Sequence, residues 1–400
     1  MDWSELPPDL LGSILERLPV ADHLRFGLVC SSWRSAAKSN LIAPAAQSPW
    51  LMLPFNPNTT SPSAKSSAQF YSLSERKVYR IPLPDPPVSD RLCIGSSHGW
   101  LIAADETSEL HLLNPITGAQ LPLPSITTFP FVEALRDRKG RVTSYNLYFG
   151  GDDDYFAPET FAPDQLRYFF YEKAVVSSDH TVMLIHNPLF KLAFARPGDE
   201  EWTMVDTPSS YWVDAVFSSS GRFCTLESTG RVEGWDLHGP LPTSAIVAPS
   251  LGYSDCSKYL VELPAGQLLQ VRRWRDPVRL GCSWEPRPLH VEHTTTRVEV
   301  FELRLGRNGW AWIRVQKEGL TEFALFLGKS GSLCVSTREC PELKGNCVYF
   351  TDDGTWSFER CHNVVPDVGM FDLSDGRLKP CGGYDFQWFW PPPIWVTPTM

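Results

Sequence analysis

Short strand-forming segments joined by glycine turns recur from residue 50 to the end of the chain, and this repetition restricts the possible folds more than any other feature. Residues 99–124 and 213–237 each show an apolar run, a turn, a second run, a glycine turn and a third run. We expect glycine to supply a positive φ, which other residues adopt only at a cost, at Gly118, Gly221, Gly230, Gly266, Gly331 and Gly376. Four-stranded units spaced by ~40–50 residues are typical of a β-propeller.

The repetition predicts a mainly β fold, a β-propeller of about six blades, and seven blades also agree with the pattern. The predicted units cover 50–84, 92–124, 166–207, 211–238, 258–316 and 323–380. A strand from the C-terminal segment is a candidate to complete the first unit. Composition agrees, because 35 Pro and 27 Gly break helices while 15 Trp, 12 Tyr and 22 Phe suit strands.

The first 40 residues differ from the rest because they alone have helical periodicity. Pro7 and Pro8 suit the opening positions of a helix, where a missing amide donor costs little, and Pro19 stops it. Six apolar residues fall on one stripe of this helix: Leu6, Leu10, Leu11, Ile14, Leu15 and Leu18.

Two further short helices are predicted after the first. Asp22 is a candidate N-cap for the second, and Ser31 or Ser32 for a third that starts near Trp33. A bundle of about 40 residues is too small to bury all of its leucines, and each one left in water forgoes roughly 1.5–3 kcal/mol. Either the following domain or a separate helical partner covers them, and periodicity alone leaves both open.

The segment from Leu6 to Arg34, LPPDLLGSILERLPVADHLRFGLVCSSWR, closely resembles the F-box. That pattern runs leucine-proline, paired leucines, a second leucine-proline, valine-cysteine and tryptophan-arginine. The resemblance implies docking on the Skp-family adaptor of a cullin-RING ubiquitin ligase, a helix-in-groove mode of recognition. It implies that the docking surface is formed or supported by Leu6, Pro7, Leu10, Leu11, Ile14, Leu18, Pro19, Val29, Cys30 and Trp33. Gly27 departs from a good helix former and should weaken the second helix by ~1 kcal/mol.

Segments of the β region also resemble, in chain order, the KIB-type β-propeller of plant F-box proteins. They include SSHGWL (96–101), LLNPITGA (112–119), PELKGNCVYFTDD (341–353) and PPPIWVTP (391–398). The predicted organisation is an F-box helical domain at 1–40, a linker at 41–68 and the propeller at 69–400, to which a strand at 50–55 is a candidate addition.

Charge and targeting signals limit the partners. The net charge of −10 argues against nucleic acid and is compatible with a basic protein target. The N-terminus lacks the features of a secretory signal and no run of 18 apolar residues occurs, so we expect a cytoplasmic or nuclear protein that does not bind membranes. The 10 cysteines include no C-x-x-C pair, so neither a zinc framework nor a disulfide scaffold is predicted, and no metal or cofactor is expected.

Three charged or metal-ligating clusters each have a simpler interpretation. His290 and His293 lie in a Pro-rich loop rather than on the helix that a zinc protease needs. The acidic runs 152–154 and 199–201 could steer a basic partner or be solvated loops. Four arginines around Trp274 could grip an acidic or phosphorylated target, or could form a charged edge that prevents strand pairing: Arg272, Arg273, Arg275 and Arg279.

These features predict a non-catalytic substrate-recognition subunit of an SCF-type ubiquitin ligase, whose F-box docks on the adaptor while the propeller binds a target protein. The alternative from a different class is a ligand- or glycan-binding propeller, or a hydrolase, that acts independently of the ligase. Adaptor binding discriminates between the two.

Overall fold

The computed structural model describes residues 3–15, 18, 22, 26, 29–39, 48–56, 65–149, 157–205, 207, 211–239, 241–279, 291–307, 309–354, 366–381 and 391–399. Within these ranges the chain forms a small helical N-terminal part and a large β domain. The α-helices there are α1 (Pro8–Leu15), α2 (Ser31–Ser39) and α3 (Pro163–Phe170), and short 3-10 helices cover Trp3–Glu5, Val88–Asp90 and Ile126–Thr128.

The start of α2 is fixed by a cysteine. The amide of Trp33 lies 3.5 Å from Sγ of Cys30, the residue before the helix. Cys30 therefore occupies the N-cap position, and the prediction that Ser31 or Ser32 caps this helix is wrong, because the helix already begins at Ser31. Most of the predicted second helix lies outside the described residues.

The β domain is built from strands that average only about five residues, as expected for blades. In the described residues they are β1 (Trp50–Leu53), β2 (Ser67–Ser72), β3 (Lys77–Pro82), β4 (Leu92–Ser97), β5 (Trp100–Ala104), β6 (Leu110–Leu113), β7 (Gln120–Pro122), β8 (Val132–Arg136), β9 (Val142–Leu147), β10 (Glu159–Phe161), β11 (Tyr171–Val176), β12 (Val182–His186), β13 (Lys191–Ala195), β14 (Thr203–Val205), β15 (Trp212–Phe217), β16 (Phe223–Glu227), β17 (Val232–Asp236), β18 (Thr243–Ala248), β19 (Ser257–Glu262), β20 (Leu268–Arg279), β21 (Val291–Gly306), β22 (Gly309–Arg314), β23 (Phe323–Leu327), β24 (Leu333–Ser336), β25 (Cys347–Phe350), β26 (Gly369–Asp372), β27 (Arg377–Lys379) and β28 (Ile394–Val396).

Six sheets form the ring of a propeller. In chain order their strand orders are β28-β1-β2-β3, β4-β5-β6-β7, β11-β12-β13-β14, β15-β16-β17-β18, β19-β20-β21-β22 and β24-β23-β25-β26-β27. The first strand in each order lies next to that of a neighbouring blade, as β4 does to both β28 and β11. At one such contact a Cβ added to Gly95 would overlap the carbonyl oxygen of Ala174, so only glycine allows β4 to approach β11 this closely. The predicted propeller is confirmed, and the described residues form six blades, the smaller of the two numbers that the repetition allowed.

The C-terminal segment closes the ring. β28 pairs antiparallel with β1, with Trp50 opposite Val396 and Met52 opposite Ile394. The first blade therefore combines strands from both ends of the β domain, as the sequence suggested, and the strand at 50–53 belongs to it. Closure of this kind removes the free edge that an open ring of blades would expose.

A seventh sheet, β10-β9-β8, lies outside the ring and was not predicted. It packs on α3 and on the second blade, where Tyr145 Oη donates to the Thr107 carbonyl at 2.7 Å. The helix α3 was not predicted either. The third predicted blade began at residue 166, because the aromatic residues of this helix also suit a strand.

Apolar packing joins each blade to the next. Six clusters of buried side chains fill the interfaces between neighbouring blades, from the first and second around to the sixth and first. At the closing interface Trp395 is 0% exposed and its ring contacts that of Phe326 at 5.0 Å, near perpendicular. A separate cluster belongs to the helical N-terminal part alone.

Glycine turns behave as expected with one exception. The backbone has positive φ at Gly118, Gly221, Gly230, Gly266 and Gly376. Gly331 does not, so that prediction is wrong. Its amide instead donates to the Ser96 carbonyl of the second blade at 2.8 Å, and a Cβ there would lie 3.2 Å from that of Ser97. The glycine permits a close approach between the sixth and second blades rather than a tight turn.

Candidate functional site

The apolar stripe of α1 divides into a buried and an exposed part. Leu11 and Leu15 are 0% and 1% exposed and form the centre of a small cluster with Phe26 and Ala36. The residues that pack against this cluster are half-buried: Leu6, Ile14, Leu18, Trp33 and Ala37. The cluster is drawn from the N-terminal part, so these leucines do not insert into the propeller.

Among the described residues of the helical part, three large apolar side chains remain exposed to solvent. Leu10 is 52% exposed, Val29 is 58% exposed and Trp3 is 65% exposed. Trp3 is tied to the helices, because its carbonyl accepts a hydrogen bond from Trp33 Nε1 at 2.8 Å. Trp33 in turn packs on Phe26, with ring centroids 4.3 Å apart.

The ten residues predicted for adaptor docking therefore take different positions. Pro7, Leu10 and Val29 are exposed, whereas Leu11 is buried and supports the surface from inside. Four of the others pack against the cluster as described, Cys30 is half-buried at its cap position, and Pro19 lies outside the described residues. Trp3, which is exposed next to α1, was not among the predicted residues.

A network of buried ion pairs lies near the propeller axis. Arg273 is fully buried and pairs with Asp353 at 3.0 Å, while Arg275 pairs with Asp352 at 3.0 Å. Tyr259 Oη donates to Asp353 at 2.6 Å. Burial alone would raise the pKa of Asp353, but Arg273 and Arg275 hold it well below the usual range of that carboxyl.

This network corrects the interpretation of the arginine cluster as a charged edge. β20 is an inner member of its sheet, with β19 on one side and β21 on the other, so its arginines do not protect an edge. Arg272 and Arg273 are buried. Trp274 stacks with Arg297, whose guanidinium carbon lies 3.8 Å from the ring centroid.

A second buried pair joins the third and fourth blades. Nζ of Lys173 pairs with the carboxylate of Asp214 and also donates to the Gly328 carbonyl at 2.9 Å. The other oxygen of Asp214 accepts the Leu260 amide at 2.7 Å. Burial raises the pKa of Asp214 despite the neighbouring ammonium group. The pair thereby links inner strands of three consecutive blades.

A cavity of about 250 Å³ opens beside these pairs, and we call it the axial cavity. Side chains of β11, β15 and β19 line it together with the loops after β23 and β25. Its polar lining includes Lys173, Lys258, Arg275, Lys329, Glu172 and Asp353. Trp212, Phe190 and Tyr259 supply aromatic walls. An apolar cavity with a few convergent charged groups is the usual form of a ligand site.

The remaining sequence candidates contribute little to a site. His290 and the acidic run 152–154 lie outside the described residues, and the run 199–201 is exposed. His293 lies on β21, so the prediction that it belongs to a loop is wrong. Among the described residues no group of three or more His, Cys, Asp or Glu side chains is arranged to hold a metal ion. No helix in the described part of the chain is long and apolar enough to cross a membrane.

Comparison with known proteins gives two family matches. A model described as the KIB1-4 beta-propeller matches residues 70–372, and one described as the F-box domain matches residues 3–43. F-box protein SKIP23 of Arabidopsis thaliana is 28% identical over 99% of this chain and 96% of its own length. The F-box/kelch-repeat protein KIB1 of the same plant is 36% identical over 31% of this chain and 32% of its own length. A solved structure of virginiamycin B lyase from Staphylococcus aureus is 12% identical, covers 68% of this chain and 85% of its own, and has a TM-score of 0.29, too low to bear on function.

Proposed function

The chain belongs to the F-box proteins with a KIB1-4 β-propeller, and from this premise we propose that it is the substrate-recognition subunit of an SCF-type cullin-RING ubiquitin ligase. The helical part docks on a Skp-family adaptor, and the propeller binds a target protein so that its lysines meet the ubiquitin-charged enzyme. Holding two reactants together in this way converts a bimolecular encounter into an effectively intramolecular one. The chain itself then needs no catalytic residue.

The observation that carries the proposal is the exposure of Leu10 and Val29 beside a cluster that is already complete. Leu10 is 52% exposed although its neighbour Leu11 is fully buried, and Val29 is 58% exposed. Exposed leucine and valine side chains gain roughly 1.5–3 kcal/mol each on full burial, which a helical groove on the adaptor supplies.

The test is adaptor binding by charged variants of the full chain. We expect Leu10→Asp and Val29→Asp each to abolish co-purification of a Skp-family adaptor, because a buried unpaired carboxylate at the interface is costly. Leu11 is unsuitable for this test, since a charge at a fully buried position would disrupt the helical part itself.

Leu305→Asp is the matched control. Leu305 is 68% exposed on β21 of the propeller, so the same change there should leave adaptor binding intact. If Leu10→Asp and Val29→Asp retain the adaptor as well as the control does, the receptor function is wrong.

The proposal places the protein in the cytosol or nucleus, where a fluorescent fusion of the full chain should be found. The alternative, a ligand-binding propeller independent of the ligase, is favoured by one observation, the axial cavity. Ligand binding there and adaptor docking involve different parts of the chain, so one does not exclude the other.

A further inference from the structure

The axial cavity opens at one face of the propeller, the face at which the inner strands β11, β15 and β19 begin. Three large apolar side chains are exposed in the loops of this face. Leu189 lies between β12 and β13, Tyr211 lies immediately before β15, and Tyr253 lies between β18 and β19. They are 52%, 49% and 77% exposed, and we call them the apolar rim.

Direct contacts connect the apolar rim to the walls of the cavity. The ring of Tyr211 packs on that of Phe190, which lines the cavity, with centroids 6.3 Å apart. The amide of Trp212, another lining residue, donates to the Phe190 carbonyl at 3.1 Å. Nζ of Lys258, which also lines the cavity, lies 5.5 Å from the ring centroid of Tyr253. The rim therefore borders the cavity.

The loop that carries Leu189 has a backbone conformation that bulky residues rarely adopt. Leu189 and Phe190 have φ angles of 69° and 50°. The side chain of Asn187 holds this loop, because its amide group donates to the Phe169 carbonyl at 2.9 Å and to the Glu172 carboxylate at 2.7 Å. Leu189 is thereby left in solvent while the next residue forms a wall of the cavity. Backbone strain of this kind is concentrated at binding sites.

The size and walls of the cavity suit one aromatic ring. Its volume is about 250 Å³. An apolar cavity of about 150 Å³ can bind benzene, so a phenol or indole ring fits here. Phe190 and Val213 are half-buried, so part of the apolar wall is accessible. The side chains of Arg275 and Asp353 are 24% and 21% exposed, so the cavity is open to solvent past them.

Cations around the cavity already pack against aromatic faces. Nζ of Lys173 and the guanidinium carbon of Arg273 lie 5.7 Å and 5.6 Å from the ring centroid of Tyr259, which lines the cavity. Both cations make this contact while each is paired with a carboxylate. Attraction to the negative face of a ring therefore does not depend on an unpaired charge. An aromatic guest gains this attraction, whereas an aliphatic one gains burial alone.

We propose that this face of the propeller binds the target, and that an aromatic side chain of the target inserts into the axial cavity while its neighbours cover the apolar rim. The inference rests on the receptor role proposed above and names the face and the class of residue for that role. An aromatic anchor in a pocket, surrounded by weaker contacts, is usual at the centre of a protein interface. The rim favours a polypeptide over a free aromatic molecule, because a single ring inside the cavity does not cover three exposed side chains.

The first experiment is a ¹⁹F NMR titration of N-acetyl-5-fluorotryptophanamide with the full-length chain. Binding should broaden the fluorine resonance. We expect N-acetyltryptophanamide to displace this probe at a concentration about fivefold lower than N-acetylleucinamide, because only the aromatic competitor gains the attraction to cations. Absence of broadening, or equal displacement by the two competitors, overturns the proposal.

Variants that fill the cavity test its location. Val213→Trp and Cys256→Phe add bulk from β15 and from the residue before β19, and each should weaken binding of the probe by about tenfold or more. Leu241→Trp is the matched control and should change nothing, since Leu241 is 74% exposed between β17 and β18, at the opposite face.

Thermal unfolding of the same variants shows whether they are folded. A filling variant that unfolds at the temperature of the parent and still binds the probe as the parent does overturns the proposal. The comparison of the two competitors uses the parent chain, so it can refute the proposal even where a filling variant fails to fold.

A peptide distinguishes a target side chain from a free aromatic molecule. A capped pentapeptide with tryptophan at its centre and leucine at each end should displace the probe at a concentration about fivefold lower than N-acetyltryptophanamide, because its ends cover the rim. Leu189→Ser and Tyr253→Ser should remove this advantage and leave binding of the probe unchanged. Equal displacement by the peptide and the capped amino acid assigns the cavity to free aromatic molecules and overturns the proposal.

Adaptor co-purification by the cavity and rim variants should be normal, because they leave the helical part unchanged. Failure of the receptor role would appear as a parent chain that binds no adaptor. Failure of the present inference would appear in the NMR titrations, so the two results are distinguishable.

Discussion

The helical N-terminal part and the propeller differ in how completely they bury their apolar side chains. The propeller fills each interface between blades with apolar side chains, pairs its own two ends through β1 and β28, and buries even several ion pairs. The helical part has one small cluster and leaves Leu10, Val29 and Trp3 in solvent. In the described residues, the propeller buries its apolar side chains between its own blades, whereas the helical part leaves three large apolar side chains exposed, which agrees with the proposed docking on a partner.

The contrast follows from size and topology. A closed ring gives every blade two neighbours, so each short strand can bury both of its faces. In the described residues of the N-terminal part, the helices of eight and nine residues share one small apolar cluster. Half of the residues proposed to dock on the adaptor also form or contact this cluster. Mutations should therefore separate stability from adaptor binding only where exposure differs between adjacent positions.

The largest expected change in stability comes from the interface between the sixth and first blades, where β28 closes the ring. Trp395→Ala should lower the free energy of unfolding of the propeller by roughly 3–5 kcal/mol, because it leaves a cavity at a fully buried position between the sixth and first blades. Urea denaturation followed by tryptophan fluorescence measures this. Trp310→Ala is the control, since Trp310 is 53% exposed, and it should stay within about 0.5 kcal/mol. Equal effects of the two changes would mean that β28 does not close the ring.

The adjacent residues Leu10 and Leu11 test whether the apolar stripe of α1 has an exposed and a buried part. Leu11→Ala should destabilise the helical part by about 2–5 kcal/mol, whereas Leu10→Ala should change its stability by less than about 0.5 kcal/mol and mainly weaken adaptor binding. Hydrogen exchange of the amides of residues 9–15 reports the first effect, and titration with the adaptor reports the second. Similar protection factors in the two variants would contradict the finding that Leu11 is buried and Leu10 is exposed.

The buried ion pairs of the propeller should be sensitive to loss of one partner. Asp353→Asn leaves Arg273 short of a counter-charge, and we expect a loss of about 3 kcal/mol, measured by denaturation at neutral pH. The control is Arg338→Ala, which removes an ion pair with Glu322 whose two side chains are 76% and 51% exposed, and it should cost less than about 0.5 kcal/mol.

The ion pair between Asp353 and Arg273 also predicts how the free energy of unfolding depends on pH. The pKa of Asp353 is lower in the folded chain than in the unfolded one, where it lies near about 3.9, so its contribution is present above that value and is lost as the pH falls through the folded pKa. The difference in stability between the parent and Asp353→Asn should therefore be constant from about pH 7 to 5 and shrink below about pH 4. A constant difference down to pH 2 would show that the carboxylate is not the stabilising form.

The smallest expected change in stability comes from the close backbone approach of β4 to β11 at Gly95. Gly95→Ala should destabilise the propeller by about 1–3 kcal/mol, because the new methyl group meets the Ala174 carbonyl and must push β4 away from β11. Thermal unfolding measures the shift. Gly140→Ala is the comparison, since no atom lies within 4 Å of its added Cβ and only its positive φ opposes the change. A larger effect at Gly140 would contradict the close packing of these two blades.

Local patterns predicted much of this fold, because blades are built from short strands joined by glycine turns that leave a regular trace in the sequence. The outer sheet β8–β10 and α3 were missed, because aromatic residues at 168–171 suit strands as well as helices and tertiary packing decides between them. The ion pairs were not predictable either. Arg273 and Asp353 are 80 residues apart in the chain, and only the ring brings them together.

For the predicted docking residues, the sequence did not show which members are exposed and which are buried. Periodicity places Leu10 and Leu11 on the same stripe, and only the position of α2 relative to α1 makes Leu11 the buried one. The axial cavity left no local signal, since the residues that line it come from several blades and only the assembled ring brings them together.

Hydrogen exchange of the full chain, with and without a purified Skp-family adaptor, compares the two regions most directly. If a partner covers the helical part and leaves the propeller unchanged, the amides of residues 9–15 and 31–39 should gain protection on adding the adaptor, while those of the blade strands should keep their exchange rates. No change in 9–15 and 31–39, or protection confined to the blades, would contradict the account.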